Sequence, residues 1–161
     1  MDPTPLFRRM SPLVEAELAC SDALLASLTS EREALATGDV ARIQSEATAK
    51  AEHVERLETL ERQRTELVRQ AGYEPSDPSQ MEACLHACDP PGTLVETWLS
   101  VLERMRRCQA ENLINGGIIE LSRRNAERAL HVLRGEAPDP DVYQSSGNMA
   151  SANGRRPLGK A

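Results

Sequence analysis

One heptad pattern runs without a slip from Thr93 to Leu133, and it constrains the fold of this chain more than any other feature. Alternating spacings of three and four residues keep one stripe of a helix facing a partner helix. The stripe consists of Leu94, Trp98, Val101, Met105, Cys108, Asn112, Asn115, Ile119, Ser122, Ala126, Ala129 and Leu133. A long helix is predicted here, and the rest of the chain must supply helices that pack against it.

The middle of this stripe is polar, because Asn112, Asn115 and Ser122 stand where leucine or isoleucine is expected. Gly116 and Gly117 lie among them, and an Asn-Gly-Gly sequence is a turn signal that would break the helix into a hairpin. The heptad phase nevertheless continues across the glycines, which favours a continuous but soft helix. Each glycine then costs about 1 kcal/mol relative to alanine. Close approach of a partner backbone, or a hinge, would explain that cost.

Two further helices are predicted in the first half of the chain, joined by a tight turn. Residues 1–10 are expected to be loose because their prolines disfavour a helix. Ser11 caps the first helix and Pro12 takes its first position. Gly38 ends this helix in a left-handed cap, and Asp39 caps the next helix at once. So short a connection predicts an antiparallel hairpin.

The predicted fold is all-α, an elongated antiparallel helical bundle or coiled coil of three long helices plus one short helix. Its helices are expected at about residues 12–37, 40–71, 80–88 and 94–134. The bundle domain covers 11–134, and 135–161 is predicted to be a disordered tail because proline, glycine, serine and asparagine dominate it. Three polar positions interrupt the heptads of the second helix and are interpreted as register-setting or snorkelling side chains: Lys50, Glu61 and Arg64.

Composition argues against several classes of function. Aromatic residues make up only 2% of the chain, whereas enzyme clefts are usually lined by them. No nucleophile or phosphate-binding motif is present, so neither an enzyme nor a cofactor is expected. A net charge of -6 without a basic stripe disfavours nucleic-acid binding. No apolar run could span a membrane and no secretory signal is recognised, so a cytoplasmic protein is expected.

A metal site is the chemistry that Cys84, His86 and Cys88 would suggest. On a helix the two cysteines share one face, but His86 points to another side. The other cysteines and histidines show no paired spacing of the kind that structural zinc requires. The prediction is therefore no metal, with the four cysteines as small buried apolar side chains.

The chain resembles the FlgN-type flagellar export chaperones, a family of type III secretion chaperones. The resemblance covers a Glu- and Leu-rich helical hairpin, a proline-containing linker and a signature region. Its residues are Asn112-x-x-Asn115-Gly116, Arg124-Asn125, Ala129-Leu130-x-Val132-Leu133 and Tyr143-x-x-x-Gly147. Gly117 departs from the pattern, since a bulkier residue is expected there.

The resemblance implies a chaperone that binds the disordered C-terminal segments of hook-filament junction proteins (the hook-associated proteins), prevents their premature assembly and delivers them to the export gate. The implied client-binding residues are Asn112, Asn115, Gly116, Ile118, Ile119, Ser122, Asn125, Ala126, Ala129, Leu130 and Leu133. Tyr143 and Gly147 are implied in docking to the export gate. The alternative is a self-associating structural coiled coil or scaffold without a client, and a homodimer is compatible with either interpretation.

Overall fold

Four α-helices account for most of residues 4–135, the part of the chain that the computed structural model describes. They are α1 (Pro5–Thr37), α2 (Val40–Gln70), α3 (Pro78–Cys88) and α4 (Thr93–Leu133). The described residues contain no strand, so the predicted all-α class with three long helices and one short helix is confirmed. The chain divides into two compact units, one that ends at Leu121 and one that begins at Ser122.

The turn between α1 and α2 forms as its residue types predict. Gly38 has φ 69°, a left-handed conformation that favours glycine, and its N–H donates to the carbonyl of Ala34. The Asp39 carboxylate then accepts a hydrogen bond from the Arg42 N–H at 3.1 Å. Helices α1 and α2 are therefore antiparallel neighbours.

Helix α4 runs parallel to α1 and antiparallel to α2 within the first unit. Arg104 pairs with Asp22, and further along both helices the Asn115 amide donates to the carbonyl of Leu28 at 2.9 Å. Sequence number thus increases in the same direction on both helices. The chain passes Gly116 and Gly117 as one helix, so the continuous helix is confirmed and the hairpin is excluded.

The expected start of α1 is wrong, because the helix begins at Pro5 rather than Pro12. The Thr4 hydroxyl accepts from the Phe7 N–H at 3.1 Å and acts as the N-cap that Ser11 was expected to provide. Proline at the first helical position loses only an N–H that would have no partner there. Pro12 lies inside the helix. The prediction failed because it treated an N-terminal proline as a helix breaker.

A smaller correction applies to α3, which begins at Pro78 instead of Gln80. Its cap is Asp77, whose carboxylate accepts from the backbone and hydroxyl of Ser79 at 2.9 and 2.7 Å. At the other end of α3, the buried Asp89 accepts from the Leu94 N–H at 2.7 Å. This contact joins the end of α3 directly to the first turn of α4.

The main apolar core surrounds α3 and draws on all four helices. Its buried members are Met10, Val14, Leu67, Val68, Met81, Cys84, Leu85, Cys88, Leu94, Val95 and Val101. A second cluster, nearer the α1–α2 turn, has only Leu24, Leu28 and Cys108 as buried members. Apolar packing is therefore concentrated at the α3 end of the bundle.

A buried ion pair lies in this core between Glu17 and Arg64, which are 3% and 7% exposed. The Arg64 Nε lies 3.0 Å from both carboxylate oxygens of Glu17. The same guanidinium lies 4.2 Å from the centre of the Trp98 ring and donates to the Met81 sulfur at 3.7 Å. Arg64 is therefore a core residue, and the interpretation of it as a snorkelling edge residue is wrong.

All four cysteines are buried free thiols, as predicted from their helical positions. Burial raises the pKa of the Cys20, Cys84 and Cys108 thiols, and raises the pKa of Cys88 to about 11. Residues 4–135 bring no three potential metal ligands together.

Replacing Arg64 with methionine should lower the free energy of unfolding by about 3 kcal/mol, since a buried Glu17 carboxylate would lose its partner. Urea denaturation would measure the change. The double variant Glu17→Leu/Arg64→Met should recover most of the loss. Arg69→Met, which removes the exposed pair with Glu66, is the matched control and should change stability little. An equal loss in both single variants would contradict this account.

The stability contribution of Glu17 should decrease as pH rises. Burial raises the pKa of Glu17 above its ordinary 4.5 and outweighs the opposing Arg64 charge. The folded chain therefore keeps a proton over a pH range in which the unfolded chain has lost it. Urea titrations between about pH 4 and pH 7 should show the wild-type advantage over Glu17→Gln shrinking with rising pH. An advantage that grows with pH would show that Arg64 dominates instead.

Candidate functional site

The predicted client-binding residues all lie on α4, and most of their side chains are exposed. Two residues of the set are exceptions, since Asn115 is buried and Ile118 is partly covered. The exposed members are Asn112, Gly116, Ile119, Ser122, Asn125, Ala126, Ala129, Leu130 and Leu133. Most of the predicted set is therefore accessible to a partner, whereas Asn115 lies in the interior of the bundle.

Asn115 is 1% exposed and holds α4 against α1. Its amide nitrogen donates to the Leu28 carbonyl at 2.9 Å and to the Glu31 carboxylate at 2.8 Å. Lys50 of α2 donates to the same carboxylate at 2.9 and 3.1 Å, and the side-chain oxygen of Asn112 lies 3.5 Å from the Lys50 ammonium. A client cannot reach Asn115 in this conformation, so the residue belongs to the packing of the bundle.

These contacts form a polar layer across α1, α2 and α4, defined here by Glu31, Lys50 and Asn115. Glu31 is buried and its carboxylate has hydrogen-bond partners from two other helices. The side-chain oxygen of Asn115, Oδ1, is buried and finds no hydrogen-bond partner among residues 4–135. A partly satisfied polar layer stabilises an interface less than apolar packing does, but it fixes the register of the helices.

Gly116 and Gly117 follow this layer with ordinary helical geometry. A Cβ atom added at either position would meet nothing within 4 Å. Neither a left-handed conformation nor a neighbouring helix of this chain therefore requires glycine there. Of the two explanations that the sequence left open, close approach within the chain is excluded for the described residues.

Besides Leu99, three large apolar side chains of the first unit are exposed near one another on α4 although the heptad analysis did not select them: Leu113, Ile114 and Leu121. Leu113 is 78% exposed and Leu121 is 58% exposed. Their spacing of one and seven residues places them near one another on a helix. A search for a second apolar stripe on the same helix would have found them.

The second unit begins with the last turns of α4, in which every residue from Ser122 to Leu133 is exposed. Leu130 and Leu133 are 51% and 82% exposed. Arg123 and Glu127 form an ion pair one turn apart, which supports the helix from its surface. This part of α4 therefore presents apolar side chains on a charged helix.

A groove of about 700 Å³ lies elsewhere, between α1 and α2. Its α1 side is made of small residues, and its α2 side carries Glu52, Glu55 and Arg56. None of the predicted site residues lines it.

Tyr143 and Gly147, predicted to dock to the export gate, lie outside the described residues. Within residues 4–135, no helix is long and apolar enough to cross a membrane.

Comparison with known proteins gives one match. The model of the FlgN protein family matches residues 1–151, which is nearly the whole chain. No curated protein and no solved structure matches significantly. The match agrees with the all-α helical fold and with the signature residues on α4. The chain belongs to the FlgN family of flagellar export chaperones, which are not enzymes and which serve hook-associated proteins.

Proposed function

We propose that the last turns of α4 bind the C-terminal segment of a hook-associated protein. The observation that carries this proposal is the exposure of large apolar side chains on a helix of the matched family, chiefly Leu130 and Leu133. Exposed apolar surface of this kind marks an interaction site. An amphipathic client segment would cover these side chains by folding onto them as a helix.

The proposed surface keeps most of the predicted residues. Its apolar part in the last turns of α4 consists of Ala126, Ala129, Leu130 and Leu133. Ile118 and Ile119, which belong to the first unit, are proposed as client contacts in their own right. Ser122 and Asn125 add polar groups that would set the register of the client by hydrogen bonding. Asn115 is not part of it because the residue is buried. Asn112 and Gly116 are exposed and remain in the proposed client-binding set.

Binding of this kind accounts for the two tasks that the family resemblance implies, which are to prevent premature assembly of the client and to deliver it to the export gate. A client segment that is folded against the chaperone has no free apolar face with which to assemble prematurely. Because the client must lose conformational entropy when it folds, part of the interaction energy is spent on ordering. The resulting moderate affinity suits release, which we place at the export gate, with Tyr143 and Gly147 as the residues that dock there. Both steps take place in the cytoplasm.

Leu130→Asp should weaken client binding by about tenfold or more, since a charge would replace an apolar contact. Calorimetry with the C-terminal segment of a hook-associated protein measures the affinity, and circular dichroism measures the helicity gained. Val40→Asp is the matched control, because Val40 is 63% exposed and lies at the start of α2. Neither variant should change the thermal midpoint much. Absence of heat and of helicity gain with the wild-type chain would refute the proposal.

The alternative hypothesis, a structural coiled coil without a client, predicts a different oligomeric state. It requires a tight oligomer of the chain alone, whereas a chaperone should acquire its client without depending on such an oligomer. Light scattering of the chain with and without the client segment distinguishes the chaperone from the scaffold. A stable oligomer that takes up no client would favour the scaffold.

A further inference from the structure

The part of α4 that follows Cys108 packs against the hairpin of α1 and α2 in a different way from the part before it. Residues 109–121, called here the 109–121 segment, contain a single buried residue, Asn115. The earlier turns of the same helix bury four residues, which are Leu94, Val95, Val101 and Cys108. In the 109–121 segment a polar amide therefore takes the position that small and large apolar side chains take before it.

The contact that Asn115 makes with α1 is incomplete. Its amide nitrogen donates to the Leu28 carbonyl and the Glu31 carboxylate, but its Oδ1 atom finds no partner among residues 4–135. The Nε atom of Arg32, which pairs with Glu111 of the segment, is also buried without a partner in that part of the chain. A buried polar atom without a hydrogen bond costs free energy, and water would restore that bond if the segment moved away from α1.

Such a movement would leave no charge of the hairpin without a partner. Glu31 is only 2% exposed, but Lys50 of α2 donates to both of its carboxylate oxygens, at 2.9 and 3.1 Å. The hairpin therefore supplies this partner without any help from α4. The side chains of Arg32 and Glu111 are 38% and 26% exposed, so both already contact water and their separation costs little.

Gly116 and Gly117 make the helix less stable directly after Asn115. Neither glycine has a left-handed conformation, and a Cβ atom at either position would meet nothing within 4 Å. Neither the backbone nor a neighbour within residues 4–135 therefore requires glycine, although alanine would favour the helix more. Low helix propensity beside an incomplete polar contact favours local unwinding at this point.

We propose that the 109–121 segment opens from α1 by unwinding at Gly116 and Gly117, while the earlier turns of α4 stay packed, and that the client binds the open form. Opening exposes Asn115 and Ile118, the two members of the predicted client-binding set that the closed bundle buries or partly covers. The role of the client rests on the proposed function, whereas the opening itself needs no client. A client that binds only the open form has an apparent affinity that rises with the fraction of open molecules.

Hydrogen exchange of the wild-type chain tests the opening in the absence of a client. Backbone amides of residues 113–121 should be protected at least about tenfold less than those of residues 98–108. Residues 28–34 of α1 are the control, because this stretch contacts the 109–121 segment and should stay protected if only α4 opens. Equal protection in the two parts of α4, or loss of protection in residues 28–34, would overturn the proposal.

The double variant Gly116→Ala/Gly117→Ala should close the segment. Each substitution favours the helix by about fivefold, so exchange of residues 113–121 should slow by about twentyfold while residues 98–108 keep their rate. Neither new methyl group meets a neighbour, which leaves helix propensity as the only change. Uniform slowing throughout α4 would show that these amides exchange through global unfolding, and would contradict a local opening.

Two arginines of the hairpin test whether the client binds the open form. Arg32→Ala removes the pair with Glu111 and should raise two quantities by the same factor of about three: the exchange rate of residues 113–121, and the calorimetric affinity for the C-terminal segment of a hook-associated protein. Arg42→Ala is the matched control, because it removes the pair with Glu33 inside the hairpin and should change neither quantity. Faster exchange without a gain in affinity would show that the client binds the closed bundle.

The outcomes separate this proposal from the function on which its second half rests. If residues 113–121 are as well protected as residues 98–108 and the wild-type chain still binds the client, the opening is refuted and the chaperone function stands. If the segment opens but the wild-type chain binds no client, the opening stands while the proposed function and the role of the client both fail.

Discussion

The Glu17–Arg64 ion pair is the contact on which the four helices converge. Glu17 belongs to α1 and Arg64 to α2, while the guanidinium also meets Met81 of α3 and Trp98 of α4. Burying two charges is costly unless every partner is in place. A slip of α1 or α2 would leave a buried charge without its partner, and a slip of α3 or α4 would remove the Met81 or Trp98 contact of the guanidinium. The pair therefore favours one arrangement of the bundle over the alternatives.

The contacts that hold the bundle together differ along its length. Near α3 it is held by apolar packing, whereas the polar layer of Glu31, Lys50 and Asn115 joins α4 to the hairpin farther along. Polar contacts compete with water, so the two ends of the interface differ in how easily they open.

The periodicity of the sequence was sufficient to predict the helices, but it was not sufficient to predict which residues each helix buries and contacts. The heptads predicted the helices and the uninterrupted course of α4, because the heptad phase depends only on the sequence of the helix itself. The start of α1 was missed because proline has opposite effects at the first position and in the interior of a helix. Burial of Arg64 and Asn115 depends on partners far along the chain, and a residue's own heptad position does not reveal them.

The exposed side chains of Leu113, Ile114 and Leu121 were missed for a related reason. A heptad analysis follows the stripe that suits one partner, and here α4 carries a second stripe that is offset around the helix. Leu113 and Leu121 belong only to that second pattern. Of the predicted site, the last turns of α4 are exposed as expected, while Asn115 proved to be a packing residue because its amide finds a carbonyl and a carboxylate on α1.

The buried cysteines have a consequence for chemistry in the cell. With a pKa of about 11, the Cys88 thiol is ionised in roughly one molecule in ten thousand at neutral pH. Thiolates are the species that oxidants and electrophiles attack, so the folded bundle is chemically inert at a residue type that is otherwise reactive. Because thiols lie in α1, α3 and α4, the rate at which each is alkylated reports how often its own helix opens. The chain thus contains internal probes of local unfolding that require no added label site.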